Sequence, residues 1–250
     1  MELLDFAWFS QLELSIEILS KMAMPENWQY RHQPDPLHPH PILFNYLKAT
    51  FSKLYNDNLI AYSEDKACFN TGLLTSNQEE IYALFGKNTK TDMQPYFFYK
   101  FHSESDRELK LFQPLPPMAT YYSEPSELIF DTRLEIRPDF EHIIEENLSR
   151  FSPPYNDPKN KYMLNLAIRG AIEIAVKRVK RNYRIAVPQY YQSTIQLLLP
   201  LCLSDPEKAD LALVVEKDPE GFYRASTCLT LDMAYSNARV LAKQDPDWLI

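Results

Sequence analysis

Residues 161–203 set the organisation of the chain. Apolar residues at Leu164, Ile168, Ala171, Ile172, Ala175 and Val179 recur at the spacing of one helical face, which predicts a helix with a buried stripe. Asn165, Arg169, Glu173 and Lys177 stand four apart on the opposite stripe, where they stack above one another. The helix runs out in a cluster of cations: Lys177, Arg178, Lys180, Arg181 and Arg184. Pro188 forbids further helix. Residues 194–203 are almost wholly apolar, the pattern of a buried strand. Helix and strand are expected to lie side by side in one core.

Elsewhere the same patterning predicts helices over 9–24 and 42–55. The first has Ser10 as N-cap and Glu13 completing a capping box; the second turns Leu43, Leu47, Phe51 and Leu54 inward. Between them, prolines at 34, 36, 39 and 41 make an extended loop. Strands are predicted over 59–62 and 67–70, a short helix over 77–85, and an aromatic strand over 96–102. In that strand Phe97, Tyr99 and Phe101 alternate with Phe98, Lys100 and His102. Short strands follow at 120–122 and 128–130, then a helix over 139–151 capped by Asp139. Strands at 212–216 and 222–231 join through the turn Asp218-Pro219-Glu220-Gly221, and Asp232 caps a last helix over 233–243. Trp248 anchors the tail.

These elements predict an α+β fold: a single domain with a mixed sheet and packed helices. A helical segment with its proline loop, 1–56, precedes a core domain over 57–250. Four glycines leave little material for phosphate-cradling loops, and nineteen prolines imply many fixed connections. The net charge of −8 argues against wholesale coating of nucleic acid, while a local basic patch still acts at short range. Cys68, Cys202 and Cys228 lie far apart with no CxxC spacing. The N-terminus lacks the basic region and apolar run of a signal peptide. A reduced cytoplasmic protein is therefore expected, and no segment has the length of apolar sequence that a membrane span needs.

No nucleotide-loop, dinucleotide, zinc-protease or serine-hydrolase motif is present, so no cofactor is named by the sequence. His32, His38 and His40 flank the proline loop with Asp35 among them but no cysteine, and no metal site is expected. Asn70 and Thr71 precede Gly72 at a strand end. Such a corner can expose an amide, a hydroxyl and backbone N–H groups, or it can be a turn in which Gly72 takes positive φ. Lys100 and His102 share a face that could meet a phosphate, or are two solvated residues. His142, Glu146 and Arg150 share a helical stripe. A thiol nucleophile at Cys68 competes with an inert core cysteine. The densest constellation is Lys180, Arg181, Asn182, Tyr183, Gln189, Tyr190, Gln192 and Gln196. Its cations suit phosphates, its tyrosines can stack bases, and its amides can pair with base edges. The alternative is a helix-end charge balance over packed tyrosines. Asp232, Tyr235, Asn237 and Arg239 form a second polar cluster on the last helix, with Asn237 half-buried.

NTGL at 70–73, NYRIAVPQYY at 182–191, QLLLPL at 196–201 and LTLDMAYSNARVLAK at 229–243, with Trp248 and Leu249, resemble the family of domain of unknown function 3825. The resemblance spans residues 59–249. It implies a bacterial-type cytoplasmic domain that elsewhere stands beside predicted RNA-binding modules, and it supplies no catalytic residues. The leading expectation is a domain binding single-stranded RNA or a nucleotide, acting in RNA metabolism or stress response. The rivals are an enzyme acting on RNA ends or a nucleotide, using Lys100, His102, His142 or Asp232, and a protein–protein adaptor.

Overall fold

A computed structural model describes residues 1–90, 92–243 and 248–249. The fold is α+β with mixed sheets, and the chain forms two compact units, Met1–Thr120 and Tyr121–Ile250. The expected boundary at 56/57 falls inside the first of them.

The first unit runs α1 (Leu3–Phe6), β1 (Ala7–Trp8), α2 (Leu12–Met22), α3 (Pro41–Asn56), β2 (Ala61–Tyr62), β3 (Lys66–Leu74), β4 (Glu80–Lys87) and β5 (Tyr96–Ser103). Its sheet has the order β1-β5-β4-β3-β2, with β1 parallel to β5 and the other pairs antiparallel. α3 opens on Pro41, whose missing N–H costs nothing at a helix start, and it buries the four residues expected. Phe51 meets Phe69 of the sheet at 5.5 Å between ring centroids, and Phe69 stacks on Phe85 at 5.7 Å.

Two expectations fail here. α2 begins at Leu12 after Gln11, with no side-chain cap, so Ser10 and Glu13 form no capping box. Residues 80–85 are strand, not helix, and 77–79 belong to the turn before it. Their helix-favouring Glu and Ala residues are overridden because Ile81 to Phe85 are all buried, which only a strand covered on both faces achieves here. A register shift also separates Leu84↔Lys100 from Phe85↔Phe98, leaving Tyr99 as an extra residue. The bulge breaks the simple alternation, so Phe98 and Phe101 meet at 4.7 Å on the core side.

In the second unit the elements are β6 (Ile136–Pro138), α4 (Phe140–Asn147), α5 (Lys161–Arg181), β7 (Val187–Tyr191), β8 (Thr194–Leu201), β9 (Leu211–Asp218), β10 (Phe222–Leu229) and α6 (Leu231–Arg239). The sheet order is β6-β10-β9-β8-β7, with β6 parallel to β10. All six residues of the predicted α5 stripe are buried. They pack with Leu197, Leu199, Leu213 and Val215, so α5 and β8 share one core as expected. The opposite sheet face packs Val187, Leu198, Ala212 and Val214 against Ala234 and Ala238 of α6. Because helices cover both faces, β8 reads as a continuous apolar run.

Asp139 caps α4 by accepting from the His142 N–H at 3.0 Å. Gly221 takes φ +87° and donates its N–H to Asp218 O at 3.0 Å, closing the predicted hairpin. The Trp248 indole donates to Ile185 O at 2.9 Å and so pins the tail. Residues 120–122 and 128–130 are not strands, whereas β6 and β7 are strands that the pattern did not predict. Thr230, not Asp232, caps α6: its side chain accepts from the Met233 N–H at 3.4 Å. Asp232 sits in the first turn, where an acid favours the helix dipole. α6 ends at Arg239, short of the predicted 243.

Candidate functional site

The end of α5 presents cations outward. Lys177, Lys180 and Arg181 are exposed, and their spacing of three and four puts them on one side of the helix. Among the described residues Lys177 and Lys180 form no ion pair. Arg181 donates to Lys177 O at 3.0 Å, capping its own helix. Arg178 turns inward instead, donating to Cys202 Sγ at 3.2 Å and to Pro206 O. Asn182 is used structurally, accepting from the Arg184 N–H at 3.1 Å. Tyr183, just past the helix, is 64% exposed.

Two of the amides expected to read base edges, Gln189 and Gln196, bond to each other and to Asn237 instead. Asn237 on α6 donates to Gln189 Oε1 at 3.2 Å, Gln189 donates to Gln196 Oε1 at 2.8 Å, and Gln196 donates to Glu216 Oε2 at 2.8 Å. Gln189 is buried, and Asn237 is half-buried as expected. β-sheet register explains the meeting: Gln189 pairs directly with Gln196 across β7 and β8. Gln189→Leu keeps the volume but strands the Asn237 donor and the Gln196 acceptor. The expected cost is about 1–3 kcal/mol, read as a lower denaturant midpoint with unchanged slope. An unchanged midpoint would mean that water replaces the lost partner. Tyr190 packs edge-on against Tyr121 at 4.7 Å, so its ring is already engaged.

A cavity of about 510 Å³ in this unit is lined by Tyr121, Glu127, Ile195, Glu216, Lys217 and Asp218, among others. The Glu124 backbone N–H and the Ser123 hydroxyl hold the Glu127 carboxyl below its ordinary range. The Glu220 backbone N–H and then Arg224 do the same for Asp218. The lining is therefore anionic at neutral pH and unsuited to a phosphate. His142 lies elsewhere, with Nδ1 3.2 Å from Glu146. Arg150 leaves the expected solvent stripe and donates to Asn147 Oδ1 at 2.5 Å and to Cys228 O.

Asn70, Thr71, Lys100 and His102 belong to the first unit. Thr71 is buried and donates to Ile81 O at 2.7 Å; Asn70 accepts from the Gly72 N–H at 2.8 Å and donates to Glu80 at 3.0 Å. Gly72 takes φ +73° inside β3, where the pairing with β4 shifts register between Asn70 and Leu74, so these residues sit in a strand irregularity rather than at a strand end. Register aligns Asn70, Tyr82 and His102 across three strands. Tyr82 donates to Glu80 Oε2 at 2.5 Å, and burial followed by this bond raises its pKa. His102 is buried with Nδ1 2.8 Å from Asp106 Oδ2, while its Nε2 has no hydrogen-bond partner. Lys100 shares its face but is exposed. Burial pushes the Cys68 thiol up to about 12, so it stays protonated at neutral pH and is no nucleophile.

No group of His, Cys, Asp and Glu that could hold a metal ion occurs among the described residues. No helix among them is long and apolar enough to cross a membrane. The residues overlooked by pattern reading are Glu80, Tyr82 and Asp106, which gain meaning only from strand pairing. The family model for domain of unknown function 3825 matches residues 19–248. No curated protein and no solved structure shows significant similarity to the chain.

Proposed function

The chain belongs to the family of domain of unknown function 3825, and we propose that it acts there as a binding domain for single-stranded RNA or a nucleotide. The observation that supports this reading is the unpaired cationic end of α5, where exposed Lys177 and Lys180 stand beside Arg181 and the exposed ring of Tyr183. In a chain of net charge −8, cations without carboxylate partners among the described residues at one helix end form a local field suited to phosphates. Because Gln189, Gln196 and Asn237 are bonded to one another, recognition rests on phosphates and base faces. Binding is therefore tolerant of sequence. Three free cysteines accord with the reducing cytoplasm.

Lys180→Ala combined with Arg181→Ala is expected to weaken binding of a short single-stranded RNA. It should also flatten the salt dependence by about 1.4 log–log units, roughly 0.7 per phosphate contact on a single strand. Fluorescence anisotropy at two or more salt concentrations measures both. If the wild-type protein binds neither RNA nor a mononucleotide at millimolar concentration, the cluster is a helix-dipole balance and this reading is wrong.

The enzyme reading has one observation of its own, the buried His102–Asp106 pair with its unpartnered Nε2. With Nδ1–H hydrogen-bonded to Asp106, Nε2 keeps a lone pair as an acceptor, which a substrate hydroxyl would reach only once the side chains burying it move aside. Hydrolysis of an RNA end or nucleotide that is lost in His102→Gln, with RNA affinity unchanged, would promote this reading over binding alone.

A further inference from the structure

We propose that the outer face of the first unit's sheet is a base-stacking platform for single-stranded nucleic acid, formed by Trp8, Phe97 and Tyr99 with Lys66 and Lys100. The inference deepens the reading above and takes from it only the class of ligand; its residues are entirely different from those on α5.

Strand register puts the platform together. Trp8 pairs with Phe97, Phe97 with Gly86, and Gly86 with Lys66, so one row crosses β1, β5, β4 and β3. Partners in register point to the same side of a sheet. The neighbouring row holds Lys100 opposite Leu84. The bulge brings Tyr99 to this side as well: Lys66 Nζ lies 5.9 Å from its ring centroid, and the ring is nearly parallel to that of His102 at 6.4 Å. The opposite side of the sheet is the aromatic core of Phe69, Phe85, Phe98 and Phe101.

These rings are exposed where the core rings are not. Trp8 is 44%, Phe97 37% and Tyr99 54% exposed, against 3% or less for Phe69, Phe85 and Phe101. Gly86 holds Phe97 in place from beneath. A Cβ there would stand 2.7 Å from Phe97 Cε1, so only glycine lets this ring lie across the strand with its outer surface open. Lys66 and Lys100 accompany the rings, with the carboxylates of Glu108 and Asp106 nearby. Lys100 is exposed and forms no ion pair among the described residues, and Lys66 has only a 3.9 Å contact with Glu108. Flat rings interleaved with lysines match a polymer with a π-face and a phosphate at each repeat. A neutral sugar chain would stack on the rings but leave the lysines unused.

The probes are a short oligouridylate and an abasic oligonucleotide of equal length, titrated against the full chain. Base stacking should quench Trp8 fluorescence. Tyr99→Ala should bind oligouridylate roughly 5- to 150-fold more weakly, and Tyr99→Phe should bind as the wild type does. Lys100→Glu should weaken binding in a salt-dependent manner, and it tests the platform at an exposed position even where Tyr99→Ala disturbs the bulge. Abasic oligonucleotide should bind far more weakly than oligouridylate. Wild-type binding that is unchanged in Tyr99→Ala and Lys100→Glu, with no Trp8 quenching, overturns the platform while leaving the α5 reading standing. Loss in Tyr99→Ala but not in the Lys180→Ala, Arg181→Ala pair supports the platform and overturns the α5 reading. Equal binding of the abasic chain overturns stacking, and binding of a neutral oligosaccharide in place of oligouridylate overturns the ligand class.

Discussion

Ile168→Asp is expected to abolish cooperative folding of the second unit, while Leu166→Asp, two residues away on the same helix, leaves the thermal midpoint nearly unchanged. Ile168 is fully buried in the core that joins α5 to β8, whereas Leu166 is 52% exposed. Losing the isoleucine side chain costs about 2–5 kcal/mol through transfer and cavity terms. A carboxyl group without a partner in that core adds roughly 2–7 kcal/mol, even after it takes up a proton. The sum rivals the whole stability of a domain, about 5–15 kcal/mol. At Leu166 the carboxylate stays in water, and the change should lie within about 0.5 kcal/mol. Calorimetry or circular dichroism melts of both variants make the comparison. An Ile168→Asp protein with a wild-type midpoint would contradict the shared core of α5 and β8.

The second large effect is expected at Gly72. Its φ of +73° lies in the left-handed region, and a Cβ there would stand 2.6 Å from the Tyr46 hydroxyl. That hydroxyl is buried and donates to Thr71 O at 3.0 Å. Gly72→Val therefore combines two penalties. The left-handed conformation costs about 1–2 kcal/mol, more for a branched side chain. Displacing the tyrosine leaves a buried acceptor unsatisfied at about 1–3 kcal/mol. A loss of about 2–5 kcal/mol follows, measurable by denaturant unfolding. Gly221→Val is the internal control: its φ is also positive, but nothing lies within 4 Å of its added Cβ, so only the backbone penalty applies. Equal losses at the two glycines would show that the Tyr46 contact yields at no cost.

The candidate site residues divide in the same way as the stabilising ones. The cations at the end of α5 could be located from the sequence, because a helix and its last turn are set by residues close in the chain. The amides could not be assigned. Gln189 and Gln196 were equally suited to base edges until the pairing of β7 with β8 bonded them together. The β7–β8 hairpin itself went unseen: its turn residues Gln192 and Ser193 both take positive φ, at 47° and 66°, positions that usually advertise themselves as Asn or Gly. The four motifs were sufficient to identify the family whose model matches residues 19–248, but family membership does not say which side chains face outward.

By itself the sequence determined the features that local periodicity governs. These are the buried stripe of α5, the inward face of α3, the hairpin closed by Gly221 and the apolar run of β8. Helical and strand spacings repeat over a few residues, so each can be read within one segment. Tertiary structure decided everything that depends on which segments become neighbours. It made 80–87 a strand by burying both of its faces, overriding helix-favouring side chains. It closed the His102–Asp106 pair and set Trp8 beside Phe97 on one outer face. The bulge at Tyr99, which no pattern announces, moved Phe101 from the side of Phe97 to that of Phe98, and Lys100 and His102 the other way. Strand partners and register are fixed by contacts between residues distant in the chain, and an exposed platform is a property of that register.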